Sequence, residues 1–228
     1  MSFQPAFWRQ GVFRLVAIGC ILFVLLTAVA MLFYPGGTAT DPTTSGYSFF
    51  TNFFSELGLT RAHSGGPNTV SFTLFFVALT LAGVGLVLFS LAFRPFFTHS
   101  TAGKVLSAIG SLFGIVSGIC FIGVAWAPAD VQLALHGQFV LWAFQALPVA
   151  ALLYAAVILL DKSYPKRFAV VFLAFALLLV LYLMLLTRGP SFDTAQAVMI
   201  QATGQKLIVY ASIVTILIQS LGARKQLS

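Results

Sequence analysis

Residues Phe168–Thr187 read FAVVFLAFALLLVLYLMLLT and contain no charged side chain. A helix that crosses the hydrocarbon core of a bilayer needs about 20 apolar residues, each rising about 1.5 Å. This stretch therefore predicts a membrane-spanning helix. Over all 228 residues, 60% are hydrophobic and 7% are charged, whereas an ordinary soluble domain is about 25% charged. The composition excludes a soluble globular domain and an intrinsically disordered chain.

Five further apolar runs complete the predicted fold, an all-α integral membrane protein in which one domain, 1–228, forms a six-transmembrane-helix bundle. The runs are continuous, unlike the alternating strands of a membrane β-barrel. The fourth and sixth runs follow lead-ins without proline, so their helices are predicted to begin near Val131 and Ala195. The predicted spans cover about 12–34, 70–93, 105–127, 131–160, 168–187 and 195–223.

The positions of the 12 lysines and arginines predict the orientation. Six spans place both termini on one side, and the positive-inside rule makes that side cytoplasmic for a protein of the cell membrane. The cations lie at the ends of the apolar runs, so the net charge of +7 reflects topology and no nucleic-acid partner is expected. The terminal side carries Arg9, Arg14, Arg94, Lys104, Lys162, Lys166, Arg167, Arg224 and Lys225; the outer side carries Arg61, Arg188 and Lys206, and also the acids Asp41, Glu56, Asp130 and Asp193.

The first outer loop, residues 35–69, is long enough to be functional or to fold locally. Within it, SFFTNFFSELG predicts a short amphipathic helix from Ser48 to Gly58. Two interpretations are open: the helix lies at the membrane interface with its carboxylate in water, or its polar face points into the mouth of the bundle. The apolar stripe would be Phe50, Phe53, Phe54 and Leu57, and the polar face Asn52, Ser55 and Glu56.

Three strings in this region, YPGG, GYSFFTNFFSELG and GGPN, resemble a known family. They are similar to the bacterial and archaeal membrane proteins grouped as domain of unknown function 998, whose loop carries an N-x-x-S-[DE]-L-G pattern. Here that pattern begins at Asn52 and ends at Gly58, with Glu56 where many members have aspartate. A more distant similarity links the loop to DRAM-like eukaryotic membrane proteins. The resemblance implies the six-span layout and no settled activity.

Polar residues within the spans should face other helices, because exposing them to hydrocarbon is costly. On the last span they form one stripe, explained either by hydrogen bonds between helices or by a polar cavity that opens outward. The third span carries a ridge of small residues that predicts close helix packing. The stripe is Gln201, Gln205, Ser212, Thr215 and Gln219; the ridge is Gly110, Gly114 and Gly118 with Ser107, Ser111 and Ser117.

No HExxH, Walker or Rossmann pattern and no cysteine–histidine cluster occurs in the sequence, so neither a metal nor a cofactor is predicted. Cys20 and Cys120 lie within apolar runs and predict no disulfide. We expect membrane lipid as a partner. The nearly featureless fifth span leaves open a homo-oligomer or another membrane protein.

Three functions are compatible with this pattern. The first is binding of a lipid or other amphiphile in an outward-facing polar and aromatic pocket. The second is a lipid-modifying enzyme in which Glu56 and His136 act as base and orienter. The third is a small transporter or channel along the stripe of the last span. The predicted ligand-binding residues are Asn52, Ser55, Glu56, Asn68, His136, Gln201, Gln205 and Lys206.

Overall fold

The structure is a computed structural model that describes residues 5–191 and 194–227, with side chains from residue 8 onward. Asp193, predicted among the outer acids, lies outside the described residues. Six α-helices are described and all six are long and apolar enough to cross a membrane. The predicted fold is therefore confirmed: the chain is an all-helical, multi-pass membrane protein. The helices are α1 (Pro5–Leu32), α2 (Thr69–Phe93), α3 (Thr101–Trp126), α4 (Leu133–Leu160), α5 (Arg167–Arg188) and α6 (Ala195–Lys225).

Local signals set several helix boundaries. The Ser100 hydroxyl accepts a hydrogen bond from the Gly103 N–H and caps α3, and Thr194 caps α6 in the same way through the Ala197 N–H. Such side chains pair the N–H groups that the first turn of a helix leaves without partners. Each predicted span overlaps one of the six helices.

The helices pack in sequence order, and α6 closes the arrangement by packing against α1. Large apolar side chains cover much of the outside of the bundle, which suits a lipid environment. The end of the bundle that carries the α1–α2 loop is called the loop end below, and the opposite end the terminal end.

The predicted small-residue ridge on α3 is confirmed as a packing surface. A Cβ atom added to Gly118 would approach the Gly83 carbonyl of α2 within 2.7 Å, and one added to Gly110 would lie 3.3 Å from the Tyr154 ring of α4. Ser117 donates a hydrogen bond of 3.0 Å to the Ala143 carbonyl. The ridge thus lets α2 and α4 approach α3 closely.

The loop helix is shorter than predicted. A 3₁₀ helix spans Phe54–Gly58, and the preceding residue Phe53 has an extended backbone that interrupts any helix begun at Ser48. Because the helix begins only at Phe54, Ser48 is not its N-cap as predicted. The Asn52 side chain instead accepts a hydrogen bond from the Ser48 N–H. Asparagine side chains commonly compete with helix formation in this way. Gly58 ends the helix, as expected.

Candidate functional site

The α1–α2 loop folds back on itself over the loop end. Gly36 and Gly37 have φ values of 133° and 81°, which glycine adopts far more readily than other residues. A Cβ atom at Gly37 would overlap the backbone of His63 and Ser64. The Ser64 N–H donates a hydrogen bond of 3.1 Å to the Gly36 carbonyl. The beginning and the end of the loop are therefore held in direct contact.

Asn68, just before α2, holds the end of the 3₁₀ helix. Its side-chain Nδ2 donates to the carbonyls of Leu57 and Leu59 at 3.1 and 2.8 Å. The Ser71 hydroxyl donates to the same Leu57 carbonyl at 3.2 Å. Asn68 and Ser71 are both buried. Asn68, predicted to bind ligand, is used here to fix the loop helix over the start of α2.

Asn52 is the centre of a polar cluster, buried except for His63, which we call the loop network: Asn52, Glu56, His63 and Lys206. Asn52 has no exposed surface. Its Nδ2 donates to the Gly37 carbonyl at 2.7 Å and to Glu56 Oε2 at 2.5 Å, while its Oδ1 accepts from the Ser48 N–H at 2.8 Å. Both the amide nitrogen and the amide oxygen of Asn52 have partners. The side chain can therefore be buried without leaving an unpaired polar group.

Lys206, on α6, is also completely buried. Its Nζ donates to the backbone carbonyl of Asn52 and, at 3.2 Å, to that of Ala202. The ammonium lies 5.4 Å from the ring centroids of both Tyr47 and Phe49, a distance at which aromatic faces attract cations. A buried charge needs such partners. Lys206 therefore ties the loop to α6.

The carboxylate of Glu56 completes the network. Its Oε1 lies 3.2 Å from His63 Nε2, and the Glu56 side chain is 6% exposed while that of His63 is 34% exposed. The hydrogen bond to Glu56 raises the pKa of His63 above its ordinary value of 6.5; partial burial opposes this rise, and the charges of Glu56 and Asp130 add to it. The interpretation in which Glu56 points into water is wrong, because its carboxylate is buried. The network runs from a buried lysine to a half-exposed histidine.

The predicted pairing of Glu56 with His136 is replaced by a different one. His136, near the start of α4, bonds through Nδ1 to the Ala127 carbonyl at the end of α3, at 2.7 Å. This bond pairs a carbonyl that the last turn of α3 leaves without a helical partner. The structure thus joins Glu56 to His63, and uses His136 to connect α3 to α4.

Asp130, in the α3–α4 link, fastens the loop from another side. Its carboxylate accepts hydrogen bonds from the Thr60 N–H and hydroxyl and from the Arg61 N–H, at 2.5 to 3.1 Å. Burial raises the pKa of Asp130, but the hydrogen bonds from Thr60 and Arg61 outweigh burial and leave the pKa below its ordinary value. Asp130 therefore acts as an anionic clasp between the loop and the bundle.

Beneath the 3₁₀ helix lies an elongated apolar cavity between α1, α2, α3, α4 and α6, which we call the interhelical cavity. About 80 Å³ of the cavity is open to the centre of a sphere the size of a water molecule, and its whole empty space, including the part open to the surroundings, is about 890 Å³. Along α6 it extends from Gln205 to Ile216, a distance of eleven helical steps, or about 16 Å at 1.5 Å per residue. Its apolar walls include Val16, Phe23, Phe75, Leu79, Leu86, Phe121, Val124, Val140, Phe144, Leu147, Val209 and Ile213.

Polar groups concentrate at the loop end of this cavity. Phe54 and Ser55 of the 3₁₀ helix form its roof together with Gln205. Gln205 Oε1 accepts hydrogen bonds from the Phe54 and Ser55 N–H groups at 2.7 and 3.4 Å. Lower down, Ser212 also lines the cavity, and its hydroxyl donates to the Ile208 carbonyl within its own helix. Apart from Ser212 and Cys20, the side chains that line the cavity below its roof are apolar.

Some of the residues that line the cavity also lie at the surface of the bundle. Leu81, on the wall, is 38% exposed. Gly85 lies one turn further along α2, and Gly19 of α1 also lines the cavity. A Cβ atom added to Gly19 would meet nothing within 4 Å, and one added to Gly85 only Val16 at 4.0 Å. These two glycines therefore leave unfilled space on the cavity side of their helices.

The polar stripe on α6 is mostly explained by contacts with neighbouring backbone. Gln201 Nε2 donates to the Leu185 and Pro190 carbonyls at 2.9 and 3.3 Å. Gln219 Nε2 donates to the Phe168 carbonyl at 2.8 Å. These are the hydrogen bonds between helices that the first interpretation of the stripe predicts. Only two stripe residues, Gln205 and Ser212, line the interhelical cavity.

The structure does not gather the eight predicted ligand-binding residues into one pocket. Asn52, Glu56 and Lys206 belong to the loop network, whereas Ser55 and Gln205 line the cavity; Asn68, His136 and Gln201 have the structural contacts given above.

Sequence reasoning missed three features. Neither His63 nor Asp130 was among the predicted site residues, and Asp130 entered only as one of the outer acids. Nothing in the sequence distinguishes Gly19 and Gly85, which line the cavity, from other glycines of the spans such as Gly11 and Gly83, so the cavity could not be located from the sequence.

Comparisons with known proteins identify the family. Neither curated proteins nor solved structures gave a match to this chain. A family model described as "Protein of unknown function (DUF998)" matches residues 17–215. The match includes the loop network, all residues that line the cavity except Val16 and Ile216, and most of the six helices. The chain therefore belongs to the DUF998 family of membrane proteins, whose function is undefined.

Proposed function

We propose that this protein binds a lipid or other amphiphile of the membrane, with the chain of the ligand in the interhelical cavity and its polar end beneath Ser55 and Gln205. One observation carries the proposal: a long apolar cavity in a membrane-spanning bundle has polar groups concentrated at one end. Ligand sites are typically apolar with a few polar groups that fix orientation. An elongated amphiphile has the same distribution of polar and apolar surface.

The contents of the cavity are constrained by its walls. An apolar cavity excludes water, because water needs two to four polar partners, and it accepts apolar molecules instead. If it stayed empty, its walls would lose the dispersion contacts that close packing provides. A hydrocarbon chain restores those contacts, and the surrounding bilayer supplies such chains at high concentration.

The proposed site is narrower than the one expected from the sequence. Ser55 and Gln205 remain as candidate contacts to the polar end of the ligand. Glu56 and Lys206 support the site indirectly, because each follows a roof residue in the chain and anchors it through the loop network. Gly19 and Gly85, beside the exposed Leu81, mark the side at which a chain can pass from the bilayer into the cavity.

A photoactivatable probe tests the proposal. The probe is a long-chain alcohol with a diazirine in the middle of its chain, added to the purified protein in nanodiscs. We expect crosslinks on cavity residues such as Phe23, Leu79 and Ile213, in addition to general labelling of lipid-facing residues. Gly85→Leu, which fills the cavity, should remove the cavity crosslinks and leave those at the exposed Leu112 unchanged.

Gly11→Leu is the matched control. Gly11 also lies on a membrane-spanning helix and a Cβ atom there meets nothing within 4 Å, but Gly11 does not line the cavity. This variant should keep the full set of cavity crosslinks. Labelling confined to lipid-facing residues in the unmodified protein would overturn the proposal.

A further inference from the structure

The charged groups nearest the cavity are directed away from it. Glu56 follows Ser55 in the chain, and Lys206 follows Gln205. One step turns the side chain by about 100° in an α-helix and about 120° in a 3₁₀ helix. Ser55 and Gln205 therefore line the cavity, whereas Glu56 bonds to Asn52 and His63 on the other side. The Lys206 ammonium likewise donates to carbonyls outside the cavity.

The described residues that line the cavity include no aspartate, glutamate, lysine, arginine or histidine. The polar side chains there are Ser55, Ser212, Gln205 and Cys20. The Ser212 hydroxyl already donates to the Ile208 carbonyl, and Gln205 Oε1 already accepts from the Phe54 and Ser55 N–H groups, so a ligand would use the remaining hydrogen-bonding capacity of these groups. These groups can pair with a hydroxyl or a carbonyl. They cannot neutralise a phosphate or a quaternary ammonium, and a buried charge without a counter-ion is far more costly than a buried hydrogen-bonded dipole.

We propose that the interhelical cavity selects an uncharged lipid, one whose polar end carries a hydroxyl or carbonyl group, and excludes lipids with charged headgroups. This inference rests on the proposed function and names the class of ligand that the site accepts. The hydroxyl or carbonyl would bond to Ser55 or Gln205 at the roof, while the chain lies along α6 toward Ile216. The same argument excludes an anionic phospholipid even though Lys206 is one residue from the roof.

The test compares three diazirine probes that have identical chains but differ in headgroup: an uncharged alcohol, a permanently anionic sulfonate and a permanently cationic trimethylammonium. Each is added to the unmodified protein in nanodiscs made of zwitterionic lipid, and crosslinks are mapped by mass spectrometry. We expect the alcohol to label Phe23, Leu79 and Ile213. Labelling of these residues by either charged probe should be at least about tenfold weaker, which corresponds to a difference of about 1.4 kcal/mol in binding free energy. Labelling of the lipid-facing Leu112 should be similar for all three probes and serves to normalise them.

The outcomes separate this inference from the proposed function. If a charged probe labels the cavity residues as strongly as the alcohol, selection of uncharged lipids is overturned and lipid binding stands. If no probe labels them, both proposals fail.

A gain-of-function variant provides an independent check. Ser55→Asp places a carboxylate at the roof, and should admit the trimethylammonium probe while the sulfonate stays excluded. If Ser55→Asp protein retains its fold by thermal denaturation but labels with the sulfonate as well as with the ammonium, charge does not control access and the inference is wrong.

Discussion

Asn52→Ala should release the loop from the bundle. The substitution removes the three side-chain hydrogen bonds of a completely buried amide, two to backbone groups of Gly37 and Ser48 and one to the carboxylate of Glu56. A bond to a neutral group contributes about 1 kcal/mol and one to a charged group about 1.5–3 kcal/mol, so the loss is about 4 kcal/mol before water enters the site. Hydration of the freed groups recovers part of this, and we expect a net loss of about 3 kcal/mol.

Limited proteolysis measures this loss directly. Trypsin cleaves after Arg61, whose side chain is exposed but whose backbone is held by Asp130 and Pro67. Cleavage there requires local opening of the loop, and its rate follows the open population when opening is fast. Because about 1.4 kcal/mol corresponds to a factor of ten, a loss of about 3 kcal/mol should raise the cleavage rate at Arg61 about 100-fold.

Thr43→Ala is the matched control for this experiment. Thr43 lies in the same loop, but its hydroxyl bonds to Asp41 at the exposed surface. Its loss should change the free energy of opening the loop by less than about 0.5 kcal/mol, so the cleavage rate at Arg61 should stay nearly unchanged. The protein in nanodiscs exposes both ends of the bundle to the protease, and the cut is assigned by mass spectrometry. If folded Asn52→Ala protein is cleaved at Arg61 no faster than the Thr43→Ala protein, the loop network does not hold the loop and the reasoning fails.

Three further substitutions test the other contacts. Asp130→Ala removes the acceptor of three exposed hydrogen bonds, and should lower the unfolding free energy by about 1 kcal/mol in thermal denaturation because water competes for those donors; an unchanged midpoint would mean that the clasp contributes nothing. The contribution of His63 should depend on pH: its pKa is raised in the folded protein by Glu56, so its stabilisation is complete below pH 6.5 and is lost as the pH rises through the raised pKa. His63→Gln should remove that part of the pH dependence, and an identical pH profile of the two proteins would contradict the assignment. Gly83→Ala places a Cβ against the backbone of α3 and should destabilise the bundle by about 1–3 kcal/mol. Its control, Gly137→Ala, has open space at its Cβ and should be neutral or stabilising. Equal thermal denaturation midpoints of the two variants would refute the close packing of α2 on α3.

The helices were predictable from the sequence because the thickness of the bilayer sets the length of each one. Any apolar run near 20 residues that lacks charges can satisfy its backbone only as a helix across the membrane. The same constraint placed the polar residues of α6 inside the bundle, and Gln201 and Gln219 do bond to neighbouring backbone. The loop is different, because its polar groups also have water as a partner and periodicity alone did not decide which way they point.

The partner of Glu56 illustrates why the candidate site was less predictable. His63 and His136 are both histidines on the loop side, and nothing in their spacing distinguishes them. The choice depends on how the loop turns between Gly58 and Gly66, which in turn depends on Asp130 binding the Thr60 and Arg61 amides from a distant part of the chain. The cavity has a similar origin: five helices and the loop each contribute residues that, taken separately, are ordinary apolar or small residues of a membrane span.

Two pairs of consecutive residues connect the loop network to the cavity. Ser55 and Gln205 form the roof of the cavity. The residues that follow them, Glu56 and Lys206, belong to the loop network, and their hydrogen bonds hold the roof in place. The bond between Glu56 and Asn52 helps to fix the backbone next to Ser55, whose N–H bonds to Gln205. Buried charges in a membrane protein are costly and usually mark a functional site. Here their placement beside the roof rather than within the cavity explains how a membrane protein can carry a buried lysine and glutamate and still present an uncharged interior to the bilayer.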